Sequence, residues 1–221
     1  TTEIYTLSLH DALPILFFER AYLLVEGESE ENSLPILYRN MYGKSLIEDG
    51  IVLVPLFSCG AWKAILTLLK KHKKDITLLL LDEDCKNPES CAKITPDSLN
   101  EIGFTSEFIS GNCYFIGEKE FEDAFCSNDL VSVMNANWPK EDGSDWTVLD
   151  IDKFRDPSKK FSVDLLEMIR KNCIKEHRNR THKPDFALAV AEYCQAEEQI
   201  PVPIKEVFDR LRLISGVMQK F

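Results

Sequence analysis

Apolar residues recur along this chain in two periods, and their order predicts a fold. Residues 21–25 are an unbroken apolar run, Ala-Tyr-Leu-Leu-Val, ending at Glu26-Gly27. Such a run predicts a buried strand leading into a turn. Residues 29–42 place Leu34, Leu37, Tyr38 and Met41 at helical spacing and stop at Gly43. A second apolar strand follows at 51–56, then a small-residue turn at 58–60. Residues 62–73 predict a helix with Ile65, Leu66 and Leu69 inward, and 76–81 a third strand with Asp82-Glu83-Asp84 at its end. Strand and helix alternate, so the predicted fold class is α/β, a parallel sheet flanked by helices.

Beyond Asp84 the pattern weakens. The stretch holding Pro88 and Pro96 is polar and reads as loop. Residues 112–116 predict a fourth strand, and 120–125 open a further helix. Residues 135–157, rich in Asp, Trp and Pro, predict an irregular surface excursion. The remainder predicts a helical C-terminal part over 162–177, 184–196 and 204–214, with Pro184 suited to a first helical turn. The expected division is a core over 16–126, followed by the excursion and the helical part over 127–221.

Residues 1–15, TTEIYTLSLHDALPI, stand apart. They resemble the translation of a common sequencing-adapter oligonucleotide, and such segments are set aside before fold reasoning. His10 and Asp11 therefore carry no catalytic weight. If this reading holds, the coding sequence was entered mid-gene, and an upstream domain is expected.

Composition narrows the class. The chain has 221 residues, 44% hydrophobic and 29% charged, as in ordinary globular proteins. No apolar run approaches the roughly 18 residues of a membrane span. The seven cysteines are odd in number and form no CxxC pair, which points to a reducing cytoplasm. A zinc site of the usual Cys/His spacing is not expected. The net charge of −11 argues against a protein that simply coats phosphates. It does not exclude a nuclease, because carboxylates arranged for Mg²⁺ are acidic until the ion arrives. Basic residues cluster at 70–74 and 171–183.

The acidic residues fall where an open α/β sheet binds ligands, beyond the C-terminal strand ends. The first strand delivers Glu26 and, one helical turn on, Glu30. The third delivers Asp82 and Asp84, and the fourth is followed by Glu118, Glu120, Glu122 and Asp123. Parallel neighbours lie about 4.8 Å apart, so these carboxylates can converge. A divalent cation would relieve their repulsion. Turn formation and helix capping explain acidic strand ends equally well, and Glu30 could serve only the positive end of its helix. Trp62, Trp138 and Trp146 are better read as packing than as stacking platforms. Ser58 and Cys59 have no neighbouring histidine and are discounted as nucleophiles.

Four segments carry a family resemblance. Leu23-Leu24-Val25-Glu26-Gly27-Glu28-Ser29-Glu30 resembles the opening motif of Toprim domains, and Leu78-Leu79-Leu80-Leu81-Asp82-Glu83-Asp84 their DxD motif. Glu118-Lys119-Glu120-Phe121-Glu122-Asp123-Ala124-Phe125 is similar to the later acidic motif of the OLD (overcoming-lysogenization-defect) branch, and His182-Lys183-Pro184-Asp185-Phe186-Ala187 to its lysine-bearing segment. The likeness spans 17–196 and covers OLD-family ATP-dependent endonucleases and the nuclease subunit of the Gabija anti-phage system alike. It implies a Toprim-like sheet and a DNA endonuclease or nickase using two Mg²⁺ or Mn²⁺ ions. In that scheme Glu26 and Glu30 bind one ion, and Asp82 and Asp84 hold the other or bridge. Glu122 completes the shell, with Glu120 and Asp123 as alternatives. Glu26, Asp82 and Lys183 are the catalytic residues, Lys183 stabilising charge on the scissile phosphate. Arg178 and Arg180 are substitutes for Lys183, which otherwise reads as a solvated lysine. Crowding by Glu28 and Glu31 leaves the ligand in the first motif open.

The resemblance also implies partners. DNA is the expected substrate, a homodimer and a helicase-like protein are expected associations, and ATP would act only through a missing N-terminal domain. No P-loop occurs in this chain. The implied role is anti-phage defence or DNA processing. The competing expectations are a Toprim RNA-processing nuclease and a degenerate Toprim module that binds without cutting. Primase and topoisomerase tasks would need template-handling domains or a tyrosine-bearing domain not visible here.

Overall fold

The computed structural model describes residues 19–56, 61–71, 73–87, 94–156 and 160–218. The segment 1–15 and the turn 58–60 lie outside them.

Among the described residues, four strands form one parallel sheet: β1 (Ala21–Val25), β2 (Ile51–Pro55), β3 (Thr77–Asp82) and β4 (Cys113–Ile116), in the order β2-β1-β3-β4. Every pairing is parallel, with Val25 opposite Leu80 and Asp82 opposite Ile116. β1 and β3 are buried throughout, which is why both read as continuous apolar runs rather than alternating ones.

The strand period of two sorts the core into two layers. Ala21, Leu23, Val25, Leu78, Leu80 and Ile116 face one cluster; Tyr22, Leu24, Leu79 and Leu81 face the other. The first layer is closed by α1 (Glu28–Tyr42), α5 (Ser127–Asn137), α7 (Phe161–Asn172), α8 (Lys183–Tyr193) and α9 (Val202–Ile214). The second is closed by α2 (Ala61–Lys70), α3 (Pro96–Glu101) and α4 (Ser106–Asn112). α9 packs directly on β1, β3 and β4, so residues on both sides of position 126 share the first layer. Among the described residues, no helix is long and apolar enough to cross a membrane.

Three expectations need correction. The stretch after Asp84 contains α3 and α4, not only loop. Both are short and begin with threonine caps: Thr95 Oγ1 accepts from Ser98 N at 3.2 Å, and Thr105 Oγ1 from Phe108 N at 3.3 Å. Residues 121–124 form only a 3-10 turn, and the helix proper, α5, starts at Ser127. The excursion at 135–157 is only partly irregular surface over its described residues, 135–156. α5 runs into it, α6 (Val148–Asp152) lies within it, and Trp138 and Trp146 are buried. Trp146 Nε1 donates to the Trp138 carbonyl at 2.6 Å, and Asn135 Oδ1 accepts from Trp146 N at 2.7 Å. The buried Trp146 indole thereby gains the partner that such a group usually finds.

Candidate metal centre

The chain passes from β1 to β2 on one side of the sheet, then crosses to β3 and β4 on the other. The strand order therefore reverses between β1 and β3, where open α/β sheets bind ligands at their C-terminal rim. Each acidic segment meets this rim.

Glu26 follows β1 directly. Gly27 then opens α1, and its N–H donates to Glu30 Oε2 at 3.0 Å. Glu30 thus caps its own helix with one oxygen while its buried carboxyl faces Asp82 and Glu122, its charged neighbours. Asp82 closes β3 at an even position, on the layer of Leu78 and Leu80. A 3-10 turn, Glu83–Lys86, carries Asp84 outward and Cys85 inward. Asp84 N donates to the Lys119 carbonyl at 3.1 Å, tying the end of β3 to the loop after β4.

That loop distinguishes its own acids. Asp123 accepts from the N–H groups of Glu118 (2.6 Å), Lys119 (3.0 Å) and Glu120 (3.0 Å), so it holds the turn together. Glu120 is held by the Ser162 N–H at 3.2 Å and by the Ser162 hydroxyl. Glu122 is fully buried, with the Ser29 side chain among its polar neighbours. Its compensation comes from Lys183, whose Nζ lies 3.2 Å from Glu122 Oε2, 3.2 Å from Glu120 Oε2 and 3.8 Å from Asp82 Oδ2. The reading of Lys183 as a plain solvated lysine does not survive these contacts.

Packing explains why so distant a lysine arrives here. α1 lies against α8, and Asn40 Nδ2 donates to the carbonyls of Ala191 (3.2 Å) and Cys194 (2.9 Å). The ends of the two helices are tied there, while Glu30 and Lys183 stand at their beginnings. Both N-termini meet the rim, where their dipoles favour negative charge. Arg178 is committed elsewhere, pairing with Glu141 at 2.7 Å and donating to the Cys173 carbonyl at 3.2 Å.

The electrostatics are those of crowded acids. Burial, then Glu122, pushes Glu30 up to about 7. Burial, then Glu30, raises Asp82 well above the usual carboxylate range. Burial raises Glu122 against the pull of Lys183. Burial and Glu26 raise Asp84. Glu120 departs from the rest: burial acts upward, but Lys183 and Ser162 bring it below normal. Lys183 is held protonated, its burial outweighed by Glu122, Asp82 and Glu120.

Two groupings emerge, both across strands rather than along the chain. Glu30, Asp82 and Glu122 gather about Lys183. Glu26 and Asp84 gather with Cys85, their ligand atoms all within 4.8 Å of one another. Asp82 links the groups: it feels the charges of Glu30 and Glu26, and its own charge is felt by Cys85. Cys85 Sγ donates to Glu26 Oε2 at 3.0 Å. Sequence reasoning missed Cys85 and Ser162. Cys85 was visible only as the residue after the DxD; Ser162 gave no signal.

Residues 17–84 match the family model described as "Overcoming lysogenization defect protein-like, TOPRIM domain". Glu26, Glu30, Asp82 and Asp84 all fall inside that stretch. Over residues 17–84 the chain is thus similar to an OLD-like Toprim domain. The likeness of fold extends further than the Toprim match itself. The C-terminal region of the Burkholderia pseudomallei OLD protein superposes with a TM-score of 0.63 at 18% identity, covering 90% of this chain and 100% of that one. The C-terminal region of the Xanthomonas campestris pv. campestris OLD protein gives 0.60 at 20% identity, covering 92% and 97%. Curated proteins give no significant match. The α/β Toprim sheet with its helical C-terminal part is thus the architecture of OLD C-terminal regions.

Proposed function

We propose that this Toprim domain is a divalent-metal-dependent nuclease that hydrolyses phosphodiester bonds of DNA, as a nickase or endonuclease. The observation that carries the reading is the convergence of five carboxylates at three neighbouring strand ends, Glu30, Asp82 and Glu122 about Lys183 and Glu26 beside Asp84. The donor set suits Mg²⁺ or Mn²⁺, which take hard oxygen ligands. Asp82 Oδ1 is buried without a hydrogen-bond partner, as an oxygen awaiting a cation would be. Glu26 with Asp84 would hold one ion, and Glu30, Asp82 and Glu122 the other. Bound ions supply a nucleophile at neutral pH and neutralise charge on the phosphate.

The chain's own groups do the rest. Lys183 would exchange its carboxylate contacts for a phosphate oxygen and stabilise charge developing there. Ser162 and Lys183 hold Glu120 in place. The N-termini of α1 and α8 add fixed positive potential. The same reading places the domain with an ATPase domain in cytoplasmic anti-phage defence or DNA processing, as a homodimer or beside a helicase-like partner.

Supercoiled plasmid tests this. With Mg²⁺ or Mn²⁺ the protein is expected to produce nicked circles, and Lys183→Ala to slow that by about 100-fold or more. Cleavage of RNA with DNA spared would favour an RNA-processing nuclease. Ion binding without cleavage of either would favour a non-catalytic module. A folded protein that neither binds Mn²⁺ nor cuts would overturn the proposal.

A further inference from the structure

The two halves of the acidic centre differ in chemistry. Around Lys183 every donor is a carboxylate oxygen. Beside Glu26 and Asp84 stands a sulfur. Cys85 is fully buried, and its Sγ lies 3.0 Å from Glu26 Oε2. The ligand atoms of Glu26, Asp84 and Cys85 lie within 4.8 Å of one another, a spread one cation can span. Asp84 is exposed, so the group opens to solvent on that side. A second observation points to a ligand. Asp82 is 4% exposed, senses the charge of Glu26, and keeps Oδ1 unpartnered.

We propose that Glu26, Asp84 and Cys85 form a mixed carboxylate–thiolate site that captures thiophilic divalent ions such as Cd²⁺ and Zn²⁺, with Cys85 Sγ as a direct ligand. The inference rests on the reading that these carboxylates bind divalent cations. Softness decides the outcome. Mg²⁺ takes oxygen ligands and leaves the Cys85 thiol donating to Glu26. A thiophilic ion takes the sulfur as well. On capture the S–H bond breaks and the S–metal bond forms. The proton passes by way of Glu26 to solvent, and no electron is transferred. The ion then occupies oxygens that Mg²⁺ would use, so thiophilic ions compete with Mg²⁺ more strongly at this end than at the all-oxygen end.

The test uses the full chain and Cd²⁺ alone, read by sulfur-to-metal charge-transfer absorption in the ultraviolet. The expected result is a saturable band whose amplitude is lost in Cys85→Ser and whose formation releases a proton. The band should weaken in Asp84→Asn, a change at an exposed position that spares the fold. Excess Mg²⁺ should erode it. Cys85→Ala serves if the serine variant does not fold. A band of unchanged amplitude in either folded Cys85 variant would assign the signal to another cysteine and overturn the proposal. So would a band indifferent to Asp84→Asn. Calorimetry with Mn²⁺ separates the two failures. If Mn²⁺ binds the wild-type chain and the Cd²⁺ band ignores Cys85, only this inference falls. If Mn²⁺ does not bind, the nuclease reading falls with it.

Discussion

Gly117 turns the chain at φ 77° between β4 and the acidic loop, a conformation that side chains rarely adopt. A Cβ there would stand 2.0 Å from the Glu120 carbonyl oxygen and 2.3 Å from Asp123 Oδ1. Gly117→Ala should therefore destabilise by about 3 kcal/mol or more, combining strain with a backbone clash. Gly143 has φ 77° with open space around it, and Gly143→Ala should cost only about 1 kcal/mol. Thermal or urea unfolding of both variants checks the ordering; equal losses would contradict it. A second residue-scale prediction concerns pH. Folded Glu30 keeps its proton up to about 7, against 4.5 for an ordinary glutamate. Stability from this group is full below about 4.5 and is lost as pH rises through about 7. Without divalent ions, the melting temperature should fall across that window, and Glu30→Gln should flatten the fall. Melting curves that rise there in the wild-type chain would refute the cause assigned to Glu30. The sequence showed which acids follow which strands but not which oxygens are free. Glu122 and Asp123 are adjacent acids with the same prospects on paper. Only the turn that spends Asp123 on three N–H groups separates them.

Among elements, legibility followed burial. β1 and β3 are covered on both faces, so their apolar runs admit one reading. α1 is marked by its apolar stripe and by Gly43, which ends it at φ 68°. α3 and α4 are six and seven residues long, too short to display a helical period. Their local signals are a capping threonine each, at Thr95 and Thr105, with Pro96 opening α3. The 135–157 region misled because its Asp and Pro residues read as loop, whereas two buried indoles anchor it. Trp146→Ala should cost about 3–5 kcal/mol, the range for a large buried aromatic. It should also detach the segment from α5, which hydrogen exchange would report as lost protection around Asn135 and Trp138. Retained protection with unchanged stability would mean the segment is an appendage after all.

At the scale of the molecule, distance in sequence hid the cation. Periodicity could place Lys183 at a helix start, but only the packing of α8 along α1 carries it to the rim between β1 and β3. The resemblance to a family supplied that residue; the pattern of the chain did not. The centre also explains how an excess of acid, −11 overall, fits a chain proposed to act on polyanions. Divalent ions that bind only the folded state should raise its stability by about 2.7 kcal/mol at a hundred times the dissociation constant. Mg²⁺ should therefore raise the melting temperature of the wild-type chain, and raise that of Asp82→Asn by less, since the variant keeps Glu26 and Asp84. The most direct test of the central claim is a calorimetric titration of Mn²⁺ into the wild-type chain and into Asp82→Asn, at neutral pH and without nucleic acid. Saturable binding to the wild-type chain, with fewer ions bound by the folded variant, is the predicted result. Wild-type protein that takes up no Mn²⁺, or a variant that binds as many ions, would contradict the account.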